Sequence, residues 1–352
     1  MPARGARSGA VTKDTPAQQF PRAARTPGAA TVTSVGGGRP QPVPVRPWWR
    51  RAVCGRLPVV TTGTHGSRER AMGSGTALVL GGGGLTGVGW ECGILYGLAR
   101  AGVDLTTADL VVGTSAGSVV GAQLTSGRLT ARELYERQLG DPVGELPARL
   151  GAGLIARYAL AVLRSREATA YRRRVGALAL AADTGSEAER RTVLEGRLVS
   201  HAWPERRLVV TAVDALTGDL RAFDKDGGSG LVDAVSASCA VPGVWPPVTV
   251  GGRRFIDGGV RSATNADLAA GHDRVVVLAP IARGTALVPA PSAQAARLRA
   301  AGARVLLITP SAAARKAFGR NVLDPARRDP AARAGLAQAA ELAEAAEAVW
   351  TG

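Results

Sequence analysis

The chain has 352 residues, enough for one large α/β domain or two small ones, and its 45% hydrophobic and 20% charged content excludes a disordered or fibrous chain. Of its 44 basic and 28 acidic residues, 12 and 2 fall within 1–71, so +10 of the net +16 sits there and the other 281 residues carry +6. Three cysteines (Cys54, Cys92, Cys239) are odd in number and form no CxxC pair, which argues against a disulfide framework and for a reducing, cytoplasmic setting.

Residues 1–74 are rich in Pro, Gly, Ala, Thr and Arg and show neither a helical nor a strand period. Such a segment cannot bury enough apolar surface to offset its ordering entropy, and it is expected to be a disordered basic tail. No apolar stretch follows its arginines, so it does not read as a signal peptide. Its basicity is compositional, and no nucleic-acid partner is expected from it. Met72 stands just before the first strand, so the tail is also read as a possible upstream extension.

Order begins with an apolar strand at Thr76–Leu80 that ends in Gly81-Gly-Gly-Gly84, followed by a helical pattern over 88–100. A second apolar strand, 109–112, runs into Gly113-Thr-Ser-Ala-Gly117 and a helix over about 118–126. This alternation predicts a parallel sheet covered by helices. Residues 130–200 read as helices without strands, including an amphipathic stretch over 150–163. Strands return at 207–213 and 219–223, joined by a turn at Thr217-Gly218. More follow at 253–256, 274–278 and 304–309, and an Ala/Glu-rich helix closes the chain over about 330–350. No apolar run reaches the roughly 18 residues of a membrane span.

Gly113-Thr-Ser115-Ala-Gly117 matches G-x-S-x-G. In that motif the serine sits on a tight strand-to-helix turn, and bulky flanking residues would clash there. The predicted strand before it and helix after it supply the required context. The glycine run 81–84 lets backbone N–H groups approach a ligand closely, as an acyl-transfer enzyme needs where an oxyanion develops. Gly82, Gly84 and Gly87 also spell the dinucleotide fingerprint G-x-G-x-x-G. A nucleotide fold, however, wants an acidic residue at the end of its second strand, and here that strand ends in the serine turn.

A serine needs a base. Of three histidines, His65 lies in the tail, His201 in a polar stretch and His272 in a Gly-His-Asp turn; a Ser115–Asp257–His272 triad would suit an α/β-hydrolase-type esterase. The better candidate is Asp257 acting alone in Phe255-Ile-Asp-Gly-Gly259, at a strand end with two glycines behind it, although a turn-forming aspartate is the competing reading. Asp226-Gly-Gly228 repeats the three letters in a polar turn and is expected at the surface.

The glycine-rich loop, the G-x-S-x-G serine about 30 residues later and the late Asp-Gly-Gly together resemble the patatin-like phospholipases. So do the segments 231–247 and 257–265. The resemblance covers about 75–350 and implies a three-layer α/β/α sandwich with a mostly parallel central sheet and a helical insertion between nucleophile and base. It further implies hydrolysis of acyl esters in phospholipids or neutral lipids, with no cofactor or metal, by a Ser115–Asp257 dyad. The backbone amides of Gly82, Gly83 and Gly84 would form the oxyanion hole, and Gly113 and Gly117 the nucleophile elbow. The substrate is expected to be a lipid or acyl ester, met in the cytoplasm or peripherally at a membrane. Residues 130–200 are expected to cover it, with Arg157, Arg164, Arg166 and Arg172-Arg-Arg174 as candidates for headgroups. One departure is Thr86, where the family usually carries Arg or Lys. A non-catalytic lipid- or nucleotide-binding protein of the same fold is the alternative from another class.

Overall fold

Short Val/Leu/Ile runs that end in glycine or polar residues make strands buried on both faces, as helices packed above and below a sheet require. The computed structural model describes residues 75–140, 145 and 148–351; the predicted tail over 1–74 lies outside them. Its strands are β1 (Thr76–Leu80), β2 (Leu110–Thr114), β3 (Arg207–Asp214), β4 (Leu220–Phe223), β5 (Val248–Val250), β6 (Arg253–Asp257), β7 (Arg274–Leu278) and β8 (Arg304–Ile308). They form one sheet in the order β5-β6-β3-β2-β1-β7-β8, with β4 paired to β3. The β3-β2, β2-β1, β1-β7 and β7-β8 pairs are parallel, and the pairs made by β4, β5 and β6 are antiparallel.

The helices are α1 (Gly84–Arg100), α2 (Ala116–Thr125), α3 (Ala131–Glu136), α4 (Ala152–Leu163), α5 (Ala168–Leu180), α6 (Glu187–Arg197), α7 (Leu231–Ser238), α8 (Pro291–Ala300), α9 (Ala312–Phe318), α10 (Arg328–Ala339) and α11 (Ala343–Trp350). Alternate strand residues serve opposite layers. Leu78, Leu80, Val111, Leu208 and Val210 pack with Trp90, Ile94 and Leu98 of α1 and with Val119 and Val235. Ala77, Val79, Val112, Val209 and Val277 face Ala266, Ala269, Ala295 and Leu298 on the other side. The architecture is therefore the three-layer α/β/α sandwich expected. A smaller cluster joins α4 and α5 to the far end of β3 through Ala161, Tyr171, Val175, Ala179 and Val213.

Two sequence expectations change. The single C-terminal helix is broken by a 3₁₀ turn at Ala340–Leu342 into α10 and α11. The first helix begins at Gly84, directly on the glycine run, rather than at 88. Among the described residues, no helix is long and apolar enough to cross a membrane.

One detail of register positions the site. On β3, Val210 and Thr211 pair with both β2 and β4, and Ala212 and Val213 pair with both β4 and β6. A strand has two edges, so β2 and β6 share the edge opposite β4. β2 leaves it at Thr114, opposite Thr211, and β6 takes it up at Asp257, opposite Ala212.

Candidate active site

Ser115 is the residue at which β2 turns into α2, with φ 52° and ψ −113°. Such backbone costs about 1–3 kcal/mol and persists only where the surroundings dictate it. Here they do. The Ser115 N–H donates to Ser238 Oγ at 2.8 Å, Ser118 Oγ donates to the Ser115 carbonyl at 2.7 Å, and the Gly117 N–H donates to the Gly81 carbonyl at 3.0 Å. A Cβ at Gly117 would lie 2.1 Å from the Leu80 carbonyl oxygen, and one at Gly113 would lie 2.6 Å from Ser118 Cα. The motif's small flanking residues are thus a steric requirement of this turn.

The exchange of β2 for β6 on the edge of β3 brings Asp257 beside Ser115. The two residues are 6% and 8% exposed. Asp257 Oδ1 accepts the Gly259 N–H at 2.7 Å and so caps the 3₁₀ turn Gly258–Val260. The turn-forming reading is therefore true of one oxygen without excluding a role for the carboxylate. Burial pushes the Asp257 carboxyl up to about 6, against the pull of hydrogen bonds from the Ser115 hydroxyl and the Gly259 amide. Gly258 must be glycine, since its Cβ would lie 2.5 Å from the Thr211 carbonyl oxygen.

A buried polar hub ties the two strand ends together. Asn265, at φ 48°, donates through Nδ2 to Thr114 Oγ1 (3.1 Å), Thr211 Oγ1 (3.2 Å) and the carbonyls of Gly258 (3.3 Å) and Ser262 (3.0 Å). Gln294 Oε1 accepts from Ser262 Oγ and Thr264 Oγ1, at 2.7 and 2.8 Å. Asn265 ends the segment 257–265 noted in the sequence, where its position alone, eight residues past the aspartate, assigns it no role.

Of the three glycine amides expected at an oxyanion hole, that of Gly82 is engaged: it donates to the Ala263 carbonyl at 2.7 Å. The amides of Gly83 and Gly84 have no hydrogen-bond acceptor among the described residues. Of the expected trio, the amides at the start of α1 are thus the two without an acceptor. Thr86 is fully buried and donates to the Gly83 carbonyl at 3.2 Å, so it braces the loop and brings no charge.

The cavity beside Ser115 holds about 30 Å³ and is walled by Gly84, Leu85, Val88, Val119, Arg190, Trp245 and Leu323 among others. A larger one of about 420 Å³ shares Leu85, Val88, Val119 and Arg197 with it and adds Arg137, Glu145 and Arg328. Arg190 was missed from sequence, although its spacing to Leu194 and Arg197 marks the inner face of α6. Arg157, Arg164, Arg166, Arg173 and Arg174 are exposed and line neither cavity, while Arg172 is hydrogen-bonded to the Gly218 carbonyl.

The structure does not bring His272 to Ser115. His272 precedes β7 and lies against Gly75, which precedes β1, whereas Ser115 follows the parallel strand β2. The length of a strand, roughly 16 Å for five residues, separates them. His201 is exposed and bonded to the Glu195 carbonyl. Asp226 sits in an exposed turn, as expected. Cys92 and Cys239 are buried free thiols.

The family model for patatin-like phospholipases matches residues 78–270, more than half of the chain. Among solved structures, VipD from Legionella pneumophila is similar over 78% of this chain and 67% of its own, at 13% identity and a TM-score of 0.39. The type III effector protein ExoU is similar over 78% of this chain and 53% of its own, at 17% identity and a TM-score of 0.37. The chain thus spans about two thirds and about half of those two proteins. No curated protein matches it.

Proposed function

The chain belongs to the patatin-like phospholipase family, and on that premise we propose that it is a serine lipid acyl hydrolase working through a Ser115–Asp257 dyad and an acyl-enzyme. The observation that carries this reading is the buried carboxyl of Asp257, raised to about 6 and set beside the hydroxyl of a strained elbow serine. A carboxylate is a weak base at its ordinary pKa, and desolvation brings it nearer to working pH.

Asp257 takes the proton of Ser115 Oγ as Oγ attacks the ester carbonyl. The amides of Gly83 and Gly84 meet the developing oxyanion, and the positive end of α2, which begins at Ala116, adds to that field. The tetrahedral intermediate collapses, Asp257 gives its proton to the departing alkoxide, and the acyl-enzyme remains. Asp257 then takes a proton from water as the water attacks the acyl carbonyl, and returns it to Ser115 Oγ as the fatty acid leaves.

The helices between residues 130 and 200 act as the substrate cover in this reading. The space beside Ser115, about 30 Å³, is too small for an acyl chain, which extends instead into the adjoining cavity of about 420 Å³.

Hydrolysis of a medium-chain p-nitrophenyl ester and a fluorogenic phospholipid tests the proposal. Ser115→Ala and Asp257→Asn are each expected to lose activity by about 10³-fold or more, and His272→Ala to stay within twofold of wild type. An active Ser115→Ala or a dead His272→Ala would sink the dyad. A wild type inactive on both substrates would favour a binding protein.

A further inference from the structure

Arg190 is 6% exposed, and neither Nε nor Nη1 has a hydrogen-bond partner among the described residues. Guanidinium keeps its charge at any working pH, and burying it unpaired is costly unless a partner arrives. Nothing on its own helix can supply one: Glu187 bonds Thr249, Glu189 caps Ser186 and Glu195 pairs with Arg191. Across the cavity, Glu145 is already held by Arg197 (Nε to Oε1, 3.0 Å) and Arg328 (3.7 Å).

The guanidinium is fixed in place even so. It lies over the Trp245 indole with Cζ 3.9 Å from the ring centroid, and both residues line the Ser115 cavity. Stacking occupies one face of the guanidinium plane and leaves its N–H edge free for an oxyanion. The charge around it is mostly positive: among the described residues, the two adjacent cavities are lined by Arg137, Arg190, Arg197 and Arg328 and by one acid, Glu145.

We propose that Arg190 is an anion-recognition residue, which takes the phosphodiester of a glycerophospholipid while the adjacent acyl ester lies at Ser115. The residue then separates lipids that carry a phosphodiester, acidic or zwitterionic, from neutral glycerolipids. The lipid assignment rests on the acyl-hydrolase reading; the anion site does not. An uncharged ester or hydroxyl oxygen can accept one N–H but does not offset the charge, whereas a phosphodiester supplies two non-bridging oxygens and a negative charge.

Two measurements decide it. Calorimetric titration of glycerophosphoglycerol into the full chain, with Trp245 emission as a local reporter, is expected to show saturable binding. Arg190→Met keeps an apolar stem on Trp245 and should weaken that binding at least tenfold, with Arg190→Lys recovering part of it. Absent binding by wild type, or unchanged binding by Arg190→Met, overturns the site whether or not the protein hydrolyses lipid. Arg190-dependent binding of inorganic phosphate without the diester overturns the lipid assignment. In the second measurement, phosphatidylglycerol and diacylglycerol of the same acyl chains are presented in vesicles. Arg190→Met should lower kcat/KM at least twentyfold on the first and less than threefold on the second. Equal losses on both would mean a structural role only, and thermal melting of each variant checks that the fold survives.

Discussion

At the carboxyl ends of β2 and β6, the side chains of Thr114, Thr211, Asn265, Ser262 and Gln294 satisfy one another in a closed buried network. Across α4 and α6, by contrast, Ile155, Leu160 and Leu163 are 55%, 43% and 81% exposed, and two nitrogens of Arg190 are unpartnered. The first region holds the proposed reacting atoms, and the second would meet the substrate. Displacing a reacting group by an ångström costs orders of magnitude in rate, so the first region is overdetermined. A lipid must be admitted, and a helix that keeps apolar groups exposed opens at low cost.

Substitutions should separate the two regions sharply. Gly117→Ala is expected to have the largest effect on stability. Its Cβ would meet the backbone of a central strand at 2.1 Å, a contact that flexible side chains cannot relieve. A loss of about 3 kcal/mol or more is expected, seen as insoluble expression or a fall in Tm beyond 10 °C. A normal melt would mean that the elbow is not as tight as described. Asn265→Ala should follow closely, at about 2–3 kcal/mol, because it removes the donor shared by two threonine hydroxyls and two carbonyls and places alanine at positive φ. If chemical denaturation shows less than about 1 kcal/mol, the hub is not what joins the two strand ends.

The same site carries a pH signature. A folded carboxyl raised to about 6 keeps its proton between roughly pH 4 and 6, where the unfolded chain has lost it. Stability is therefore lost as pH rises through that window, by up to about 3 kcal/mol, and stays lost above it. Asp257→Asn removes the buried charge and should raise Tm at pH 8, by the equivalent of roughly 1–3 kcal/mol, while changing little at pH 4. Activity runs the other way: kcat/KM of the wild type should rise tenfold per pH unit up to about 6 and then level. A flat profile through 6 would argue against Asp257 as the base.

The elbow was legible in the sequence because its demands are local: a strand, two small residues and a helix within about fifteen positions. Asp257 was legible as a candidate from Asp-Gly-Gly, but its nearness to Ser115 was not. That proximity depends on β6 taking up the edge of β3 where β2 leaves it, two pairings that together bring residues 115 and 257 to one place. The Gly82 amide could not be assigned for the same reason, since its acceptor is the distant Ala263 carbonyl. Short β5 and the turn-bounded α7 and α8 carry too few periodic residues to announce themselves. No charge run marks Arg190 on α6, since its importance lies in burial and in a tryptophan contributed from position 245.

The smallest expected effect is the one that tests the second region most directly. Leu163 ends α4 at 81% exposure, so Leu163→Ser removes almost no buried surface and should leave stability within about 0.5 kcal/mol. Apolar side chains flanked by Arg157, Arg164 and Arg166 suit shallow insertion at an anionic lipid surface, where each buried aliphatic group contributes about 1.5–3 kcal/mol. Sedimentation with phosphatidylglycerol vesicles should therefore weaken severalfold in Leu163→Ser, and hydrolysis of a monomeric, soluble ester should not change. If vesicle binding is untouched while soluble hydrolysis falls, α4 acts on the cavity rather than on the membrane, and the division between a fixed chemical edge and a lipid-facing helix would have to be redrawn.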